Sequence, residues 1–271
     1  MFEIPKPIHR SRVRQLFGRE YHIARRKANW LFGSRQWATT RDSLAASHRK
    51  FSHQSLILRP LRDVDMVLQH NKRRNLELAL AQLDRILIRP GETMSVWKLV
   101  GRPTRRKGYL EGLVLNQGRV SRGTGGGLCQ LGNLLFWMAA HSPLTISERW
   151  RHGFDVFPDV NRTIPFGAGA TLAYNHVDLQ ITNNTPYSFA IHLWLDDIHL
   201  RGELCCEEDY CCIYSVEERH HKIQQQIWGG YSRHNQLYRI CTASDGGETE
   251  QLLVENHAIM MYEPLLKAAQ Y

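Results

Sequence analysis

Cys129 is the residue of this sequence whose surroundings most favour chemistry. The glycines at 125–127 precede it, and an apolar segment with helical spacing (Leu131, Leu134, Leu135) follows it. Glycine adopts backbone angles that other residues avoid, so such a loop lets the main chain approach a ligand closely. The spacing predicts that Cys129 lies in the first turn of a helix, where free N–H groups and the helix dipole favour a thiolate. The pattern predicts an exposed nucleophile, and a small buried packing residue is the alternative.

The glycine run matches neither common phosphate-binding loop. No Lys-Ser or Lys-Thr pair follows it, and Leu128 stands where the third glycine of a dinucleotide fingerprint belongs. We therefore expect no nucleotide site and no cofactor.

His152 is predicted to return to the level of Cys129. Pro143 ends the helix, and residues 144–152 alternate as a strand. The residues on its apolar face are Leu144, Ile146, Trp150 and His152. The helix advances about 18 Å at 1.5 Å per residue, and an antiparallel strand can return about 26 Å at 3.3 Å per residue. A thiol beside an imidazole forms the nucleophile and base of an acyl-transfer site, whereas a histidine in the core under Trp150 is the alternative.

Asp178 is the candidate third member of such a site. Residues 170–182 and the stretch that follows are predicted to form two strands joined at a turn, with Asp178 and His176 on one side of the first strand. A carboxylate there would orient an imidazole, or it would simply cap the edge of a sheet. His176 competes with His152 as the base.

Cysteine pairs near residue 210 form the pattern CC-x4-CC (Cys205, Cys206, Cys211 and Cys212). Zinc, a disulfide and plain apolar strand residues are the three interpretations. Adjacent strand residues face opposite sides, so the four thiols do not readily converge on one tetrahedral ion. We predict no metal site.

The positive charge of the chain is concentrated at its start. Residues 1–50 hold 12 Lys and Arg against 3 Asp and Glu, which equals the whole net charge of +9. Apolar residues at helical intervals accompany this charge, so a basic amphipathic helix is predicted, either at an anionic lipid surface or acidic partner, or docked on its own domain. The absence of a recognised motif argues against nucleic acid. No apolar run reaches the roughly 20 residues of a membrane span and no secretory signal is evident, so we expect a cytoplasmic protein, peripheral to the inner membrane face.

The order of elements predicts an α+β fold. We expect a single mixed domain over residues 55–271, with a mostly antiparallel sheet and a central helix after the glycine loop, preceded by a basic helical extension over residues 1–54. Residues 55–68 are predicted as a strand and turn, a helix is predicted from Asn75, residues 94–100 are predicted as a strand, and residues 113–121 as a hairpin.

Several segments in the same order resemble the VanW family. They are GTGGGLCQLGNLLFW, LTISERWRH, the stretch from TIPFGAGATL to YSFAI, and GGYSRHNQLYRI. The resemblance runs from about residue 55 to the end of the chain. It implies a link with the cell envelope, peptidoglycan and vancomycin resistance, without implying a particular reaction.

The resemblance also assigns candidate site residues. The family's glycine run corresponds to Gly125, Gly126 and Gly127, and its cysteine and glutamine correspond to Cys129 and Gln130. Its Glu-Arg-His-x-His segment corresponds to residues 148–152, where Arg149 and His152 are retained and Trp150 replaces the first histidine. An Asp-Ala-Thr stretch corresponds to residues 169–171, where Gly169 replaces the aspartate and Thr171 is retained. A later Asp-Leu pair corresponds to Asp178 and Leu179.

Two hypotheses of function follow. In the first, Cys129 attacks a carbonyl of a peptidoglycan peptide or precursor, His152 takes the proton, Asp178 orients the imidazole and nearby amides hold the oxyanion. In the second, the protein is a non-catalytic accessory protein whose glycine loop binds an anionic cell-wall precursor. The candidate ligand-binding residues are Gly125, Gly126, Gly127, Gln130, Arg149 and Thr171.

Overall fold

The computed structural model describes residues 11–42, 48–58, 66–116, 118–156 and 163–264. Its α-helices are α1 (Arg12–Phe32), α2 (Met66–Leu83), α3 (Val96–Val100) and α4 (Cys129–Ala140), with a 3-10 turn at Arg105–Lys107. The first strands are β1 (Gln36–Trp37), β2 (His48–Leu56), β3 (Ile86–Ile88), β4 (Glu92–Ser95), β5 (Glu111–Asn116), β6 (Arg119–Thr124) and β7 (Thr145–Glu148). The later strands are β8 (Phe154–Asp155), β9 (Gln180–Thr182), β10 (Phe189–Leu195), β11 (His199–Cys206), β12 (Ile213–Gln225), β13 (Tyr231–Thr242) and β14 (Glu248–Met260).

The described strands form three four-stranded sheets and a hairpin, and most neighbours are antiparallel. The sheet orders are β1-β4-β9-β7, β2-β11-β10-β3 and β12-β13-β14-β8, and the hairpin is β5-β6. Only β1 with β4 and β14 with β8 pair in parallel in this part of the chain. The fold is therefore mixed α+β, which confirms the predicted class. Because β1 and most of β2 precede residue 55, the N-terminal segment contributes strands to these sheets.

The central helix α4 lies in the main hydrophobic core. Its buried side chains include Leu131, Leu134, Leu135, Phe136 and Met138. They pack in one cluster with residues of α2 and of the sheets around them. The apolar periodicity that predicted α4 reflects burial of the helix on nearly all of its sides. Because the helix is fixed in the core, its first residue, Cys129, is fixed as well.

The sequence placed several elements correctly. The helix after the glycine loop and the hairpin at β5-β6 are both present. The helix predicted from Asn75 starts earlier, at Met66. Residues 94–100, predicted as a strand, divide between β4 and α3, because the Ser95 hydroxyl accepts a hydrogen bond from the Lys98 amide and caps a helix there.

Two predicted strands near the site are present only in part. The strand over 144–152 ends at Glu148, and Trp150 is 57% exposed rather than on a buried face. Its carbonyl accepts a hydrogen bond from the Thr171 amide at 2.7 Å, which draws the chain away from the sheet. The strand predicted from residue 170 exists only as β9, because residues 173–177 form a turn closed by one bridge between Ala173 and Val177.

Helix α1 packs on the domain through one side. Ile23 is buried, and Trp30 packs against the hydrophobic core. Arg26 donates hydrogen bonds to Glu148 and to the carbonyl of Asn175. Segments 1–10 and 59–65, which belong to the predicted N-terminal extension and to the predicted strand and turn over 55–68, lie outside the described residues. None of the helices within the described ranges is long and apolar enough to cross a membrane.

Candidate active site

A cleft of about 300 Å³ opens in front of the first turn of α4, and it contains both predicted reactive groups. Cys129 and His152 line it together with the glycine loop and residues 171–174. The Cys129 Sγ and the His152 Nε2 are 4.0 Å apart. The structure therefore brings the thiol and the imidazole together, although His152 reaches this position from a loop rather than from a continuous strand.

The thiol and the imidazole are both favoured in their neutral forms. Burial raises the pKa of the Cys129 thiol, although the amide of Leu172, 3.5 Å from the sulfur, and the amide of Cys129 itself lower it. Burial, followed by the charge of Arg151, lowers the pKa of His152. A neutral imidazole can accept a proton, so the arrangement suits a general base that acts as the sulfur attacks.

The glycine loop owes its composition to close packing. A Cβ on Gly126 would overlap the backbone of Gly112 in β5, and a Cβ on Gly127 would overlap the side chain of Lys72. Gly125 and Gly127 also have positive φ angles of 77° and 92°. Small residues are needed here because β5 crosses directly beneath the loop.

The amides of the three loop glycines are already hydrogen bonded. Gly125 donates to the Leu110 carbonyl, Gly126 to Gly123 and Gly127 to Leu113, at 2.9 to 3.0 Å. They line the cleft without presenting free donors, so this geometry does not favour an anion-binding nest. The next two amides, those of Leu128 and Cys129, have no backbone acceptor within the described part of the chain. These two are the candidates for stabilising an oxyanion.

The cleft has a cationic side. Arg19 from α1 and Arg102 from the loop after α3 line it, and the lining that the structure describes includes no carboxylate. Glu20 lies 3.1 Å from Arg19 and 4.0 Å from Arg102, but all three side chains are about half exposed and solvent weakens their pairing. An anionic group is therefore the ligand chemistry that this cleft favours.

Two aromatic residues form the wall beside Arg102. The rings of Trp97 and Tyr174 meet edge to face with their centres 5.5 Å apart, and the Arg102 guanidinium lies 6.0 Å from the Tyr174 ring. The Trp97 indole donates to the carbonyl of Val177 at 2.7 Å. The wall is thus fixed by residues of the turn over 173–177.

Asp178 lies behind this wall, and its described hydrogen bonds do not include His152. Its carboxylate accepts from the Ser95 hydroxyl at 2.6 Å, from the Trp97 amide at 3.1 Å and from the Leu179 amide at 2.9 Å. The side chain is fully buried. Because it anchors the start of α3, Asp178 positions Trp97 and does not orient the imidazole. Sequence reasoning assumed a strand here, and the turn redirects the carboxylate.

Gln130 and Arg149, two candidate ligand-binding residues, lie outside the cleft. The Gln130 amide nitrogen donates to the Ser55 hydroxyl and to the Leu56 carbonyl, both at 2.8 Å, and so ties α4 to β2. Arg149 donates to the carbonyls of residues 167 and 169 and to the side chain of Asn256. Burial, followed by the charge of Arg151, lowers the pKa of Arg149 to about 9.

Thr171 does line the cleft, as do Gly125, Gly126 and Gly127. His176, the competing base, is exposed and is not part of the described lining. All six cysteines are free thiols, and the described residues contain no group of three or more metal-binding side chains.

Sequence reasoning missed Arg19, Trp97 and Tyr174 as lining residues. Arg19 is far from Cys129 in the sequence, and only the docking of α1 brings it to the cleft. Arg102 belongs to a basic loop that can be recognised in the sequence, because Arg105, Arg106 and Lys107 follow it. That local cluster of charge is the signal in the sequence for an anionic substrate, with a solvated loop as the alternative.

Comparisons with known proteins match this chain to one family. A family model described as VanW like protein matches residues 71–205. The Vancomycin B-type resistance protein VanW of Enterococcus faecalis (strain ATCC 700802 / V583) is 34% identical over 68% of this chain and 66% of its own length. The uncharacterized protein YoaR of Bacillus subtilis (strain 168) is 32% identical over 40% of this chain, and the match spans 34% of its own length. No solved structure matches the chain.

Proposed function

Because this chain belongs to the VanW family, we propose that it is a cysteine-dependent acyl-transfer or hydrolytic enzyme that acts on a peptidoglycan peptide or precursor. The name of its enterococcal relative, a vancomycin B-type resistance protein, motivates a role in glycopeptide resistance and in the cell envelope. The observation that carries the reaction class is the 4.0 Å separation of the Cys129 Sγ and the His152 Nε2 inside a cleft.

The reaction follows from the neutral thiol and imidazole. As the Cys129 Sγ forms a bond with a carbonyl carbon, its proton passes to the His152 Nε2, and the amides of Leu128 and Cys129 stabilise the oxyanion. The imidazolium then gives this proton to the leaving amine as the carbon–nitrogen bond breaks and a thioester remains. Water or a second amine releases the acyl group. The separation of 4.0 Å has to shorten when substrate binds.

The cationic side of the cleft supports a substrate with negative charge. Peptidoglycan stem peptides carry free carboxylates, and their nucleotide-linked and lipid-linked forms carry phosphates. Arg19 and Arg102 are placed to pair with such a group. The proposal places the protein in the cytoplasm, at the inner face of the membrane, where these precursors are made.

The experiment incubates the full chain with stem peptides and with nucleotide-linked precursor, and it follows the products and the intact protein by mass spectrometry. Wild type is expected to turn over a substrate and to accumulate an acyl adduct on Cys129. Cys129→Ala should abolish both, and His152→Asn should slow turnover about 10²- to 10⁴-fold. The matched control Cys241→Ala should behave like wild type. Full turnover by Cys129→Ala, or no turnover of any substrate by wild type, would overturn the enzymatic proposal.

A second candidate function is non-catalytic binding of an anionic precursor. The observation that favours it is the cleft lining, in which Arg19 and Arg102 occur without a carboxylate among the described residues. Here Arg19 and Arg102, rather than the amides of the glycine loop, hold the ligand. Equal precursor binding by wild type and Cys129→Ala without turnover, together with weaker binding by Arg102→Gln, would select this function over the enzyme.

A further inference from the structure

Helix α1 leaves an apolar face in solvent. Six large hydrophobic side chains on it are strongly exposed: Val13 (62%), Leu16 (54%), Phe17 (75%), Tyr21 (63%), Leu31 (76%) and Phe32 (87%). At 3.6 residues per turn they lie on one side of the helix, about 160° wide, which also includes Ala24 and Ala28 and carries Glu20 and Lys27 near one edge. We name this side the outer face of α1. Contiguous apolar surface of this kind marks an interaction site.

The outer face is separate from the side by which α1 docks on its own domain. Arg19, Ile23, Arg26 and Trp30 point to the domain, about 140° around the helix axis from the outer face at 3.6 residues per turn. Ile23 is 5% exposed, and the Arg26 side chain is 15% exposed. Docking therefore fixes the helix in place and buries one side of it, while the outer face stays exposed to solvent.

Basic side chains flank the outer face. Arg14 and Arg25 lie along one edge, Lys27 lies on the other edge, and all three are exposed. Glu20 is the one acidic residue of α1, and it lies on the same side of the helix as Leu16; its pairing with Arg19 at 3.1 Å is weakened by solvent. Arg14, Arg25 and Lys27 together leave the outer face with a net positive charge. Long basic side chains beside an apolar stripe can extend to the headgroup level while the stripe enters the acyl region.

We propose that the outer face of α1 is a docking surface for an anionic lipid bilayer, on which the helix lies in the plane of the interface. Charge complementarity favours an anionic bilayer over a second copy of the chain as the partner of this surface. A negative membrane surface attracts Arg14, Arg25 and Lys27 together. A second copy of the chain, packed face to face, would bring two sets of these cations into proximity, and this arrangement costs free energy through repulsion.

Docking would also place the cleft beside the membrane. Arg19 of α1 lines the cleft from the domain side of the same helix. A lipid surface against the outer face would therefore lie within one helix diameter of the cationic side of the cleft, about 10 Å. The proposed function already includes a location at the inner face of the membrane, and this inference adds the surface that would bind there; it does not depend on the reactivity of Cys129.

The test measures binding of the full chain to sedimented vesicles. Wild type is expected to bind vesicles that contain phosphatidylglycerol and to bind pure phosphatidylcholine vesicles much less. Phe17→Asp combined with Leu31→Asp should lower the affinity for the anionic vesicles at least tenfold. Arg14→Gln combined with Arg25→Gln should lower it on the order of fivefold per charge, and the loss should shrink at high salt.

Ile213→Asp is the matched control, because Ile213 is a 73% exposed apolar residue on β12. It should bind like wild type. Circular dichroism and the alkylation rate of Cys129 show that each variant is folded, and Cys129→Ser should bind vesicles as wild type does even if the proposed chemistry fails. Undiminished vesicle binding by the Phe17 and Leu31 double variant would overturn the proposal. The proposal would also be overturned if wild type did not bind anionic vesicles and instead formed a dimer that the Phe17 and Leu31 double variant dissociates.

Discussion

Arg26 in α1 donates to both carboxylate oxygens of Glu148 at the end of β7, with distances of 2.7 and 2.5 Å. The same guanidinium lies 3.7 Å from the buried carboxylate of Asp178. One cation therefore connects the N-terminal helix with the segment that leads to His152 and with the residue that anchors Trp97.

Arg26→Ala should destabilise the protein strongly. The Arg26 and Glu148 side chains are only 15% and 21% exposed. Removal of the guanidinium would leave the carboxylates of Glu148 and Asp178 without their cationic partner. We expect the free energy of unfolding to fall by about 3 kcal/mol, measured by urea denaturation. Arg25→Ala, one position away on an exposed side, should change it by less than about 0.5 kcal/mol. Equal effects of the two substitutions would contradict the role given to Arg26.

The stability of the protein should depend on pH through Asp178. Burial raises the pKa of Asp178 to about 6, although the Ser95 hydroxyl and the charge of Arg26 oppose this rise. Because the folded protein holds this proton more tightly than the unfolded chain, the contribution is complete below about pH 4 and is lost as pH rises through 6. The loss is about 3 kcal/mol, since one pKa unit corresponds to about 1.4 kcal/mol.

Comparison of wild type with Asp178→Asn from pH 4 to pH 7 isolates this contribution. The variant should gain stability relative to wild type as pH rises across that range. Asp197→Asn, which removes an exposed carboxylate, should show no such trend. A constant difference between wild type and Asp178→Asn at every pH would mean that folding does not change the pKa of Asp178.

Alkylation of Cys129 should be slow at neutral pH. Because burial raises the pKa of its thiol, the reactive thiolate forms mainly in alkaline solution. We expect the rate with iodoacetamide to rise with an apparent pKa above the ordinary value of 9.0. Peptide mapping gives the exposed Cys211 of the same molecule as an internal reference. Faster alkylation of Cys129 than of Cys211 at pH 7 would instead indicate a thiolate paired with imidazolium.

Gly126→Ala should disrupt the loop that precedes Cys129. The added methyl would meet the backbone of Gly112, which cannot move away as a flexible side chain would. We expect the free energy of unfolding to fall by about 2 kcal/mol or more, measured by thermal or urea denaturation. Gly153→Ala is the control, because a Cβ there meets nothing within 4 Å. A stable Gly126→Ala protein would show that β5 and the loop can separate.

Some features near Cys129 were predicted correctly from the sequence, and others were not. The glycines, the start of α4 and the hairpin depend on local spacing and were predicted correctly. His152 reached the sulfur although the predicted strand ended at Glu148. The position of His152 was predicted from chain length alone. That estimate requires only that the chain runs back along α4 from residue 144 to residue 152, and a loop meets this requirement as well as a strand does.

The sequence by itself determined the elements whose signals are local: the apolar period of α4, the turn between β5 and β6, and the basic apolar pattern of α1. Tertiary structure alone decided that Arg19 lines the cleft, that Arg26 pairs with Glu148 and that Asp178 anchors Ser95 and Trp97. The physical reason is distance along the chain. A helix or hairpin satisfies its hydrogen bonds among near neighbours, whereas a buried charge takes whichever partner the packing of remote segments brings to it.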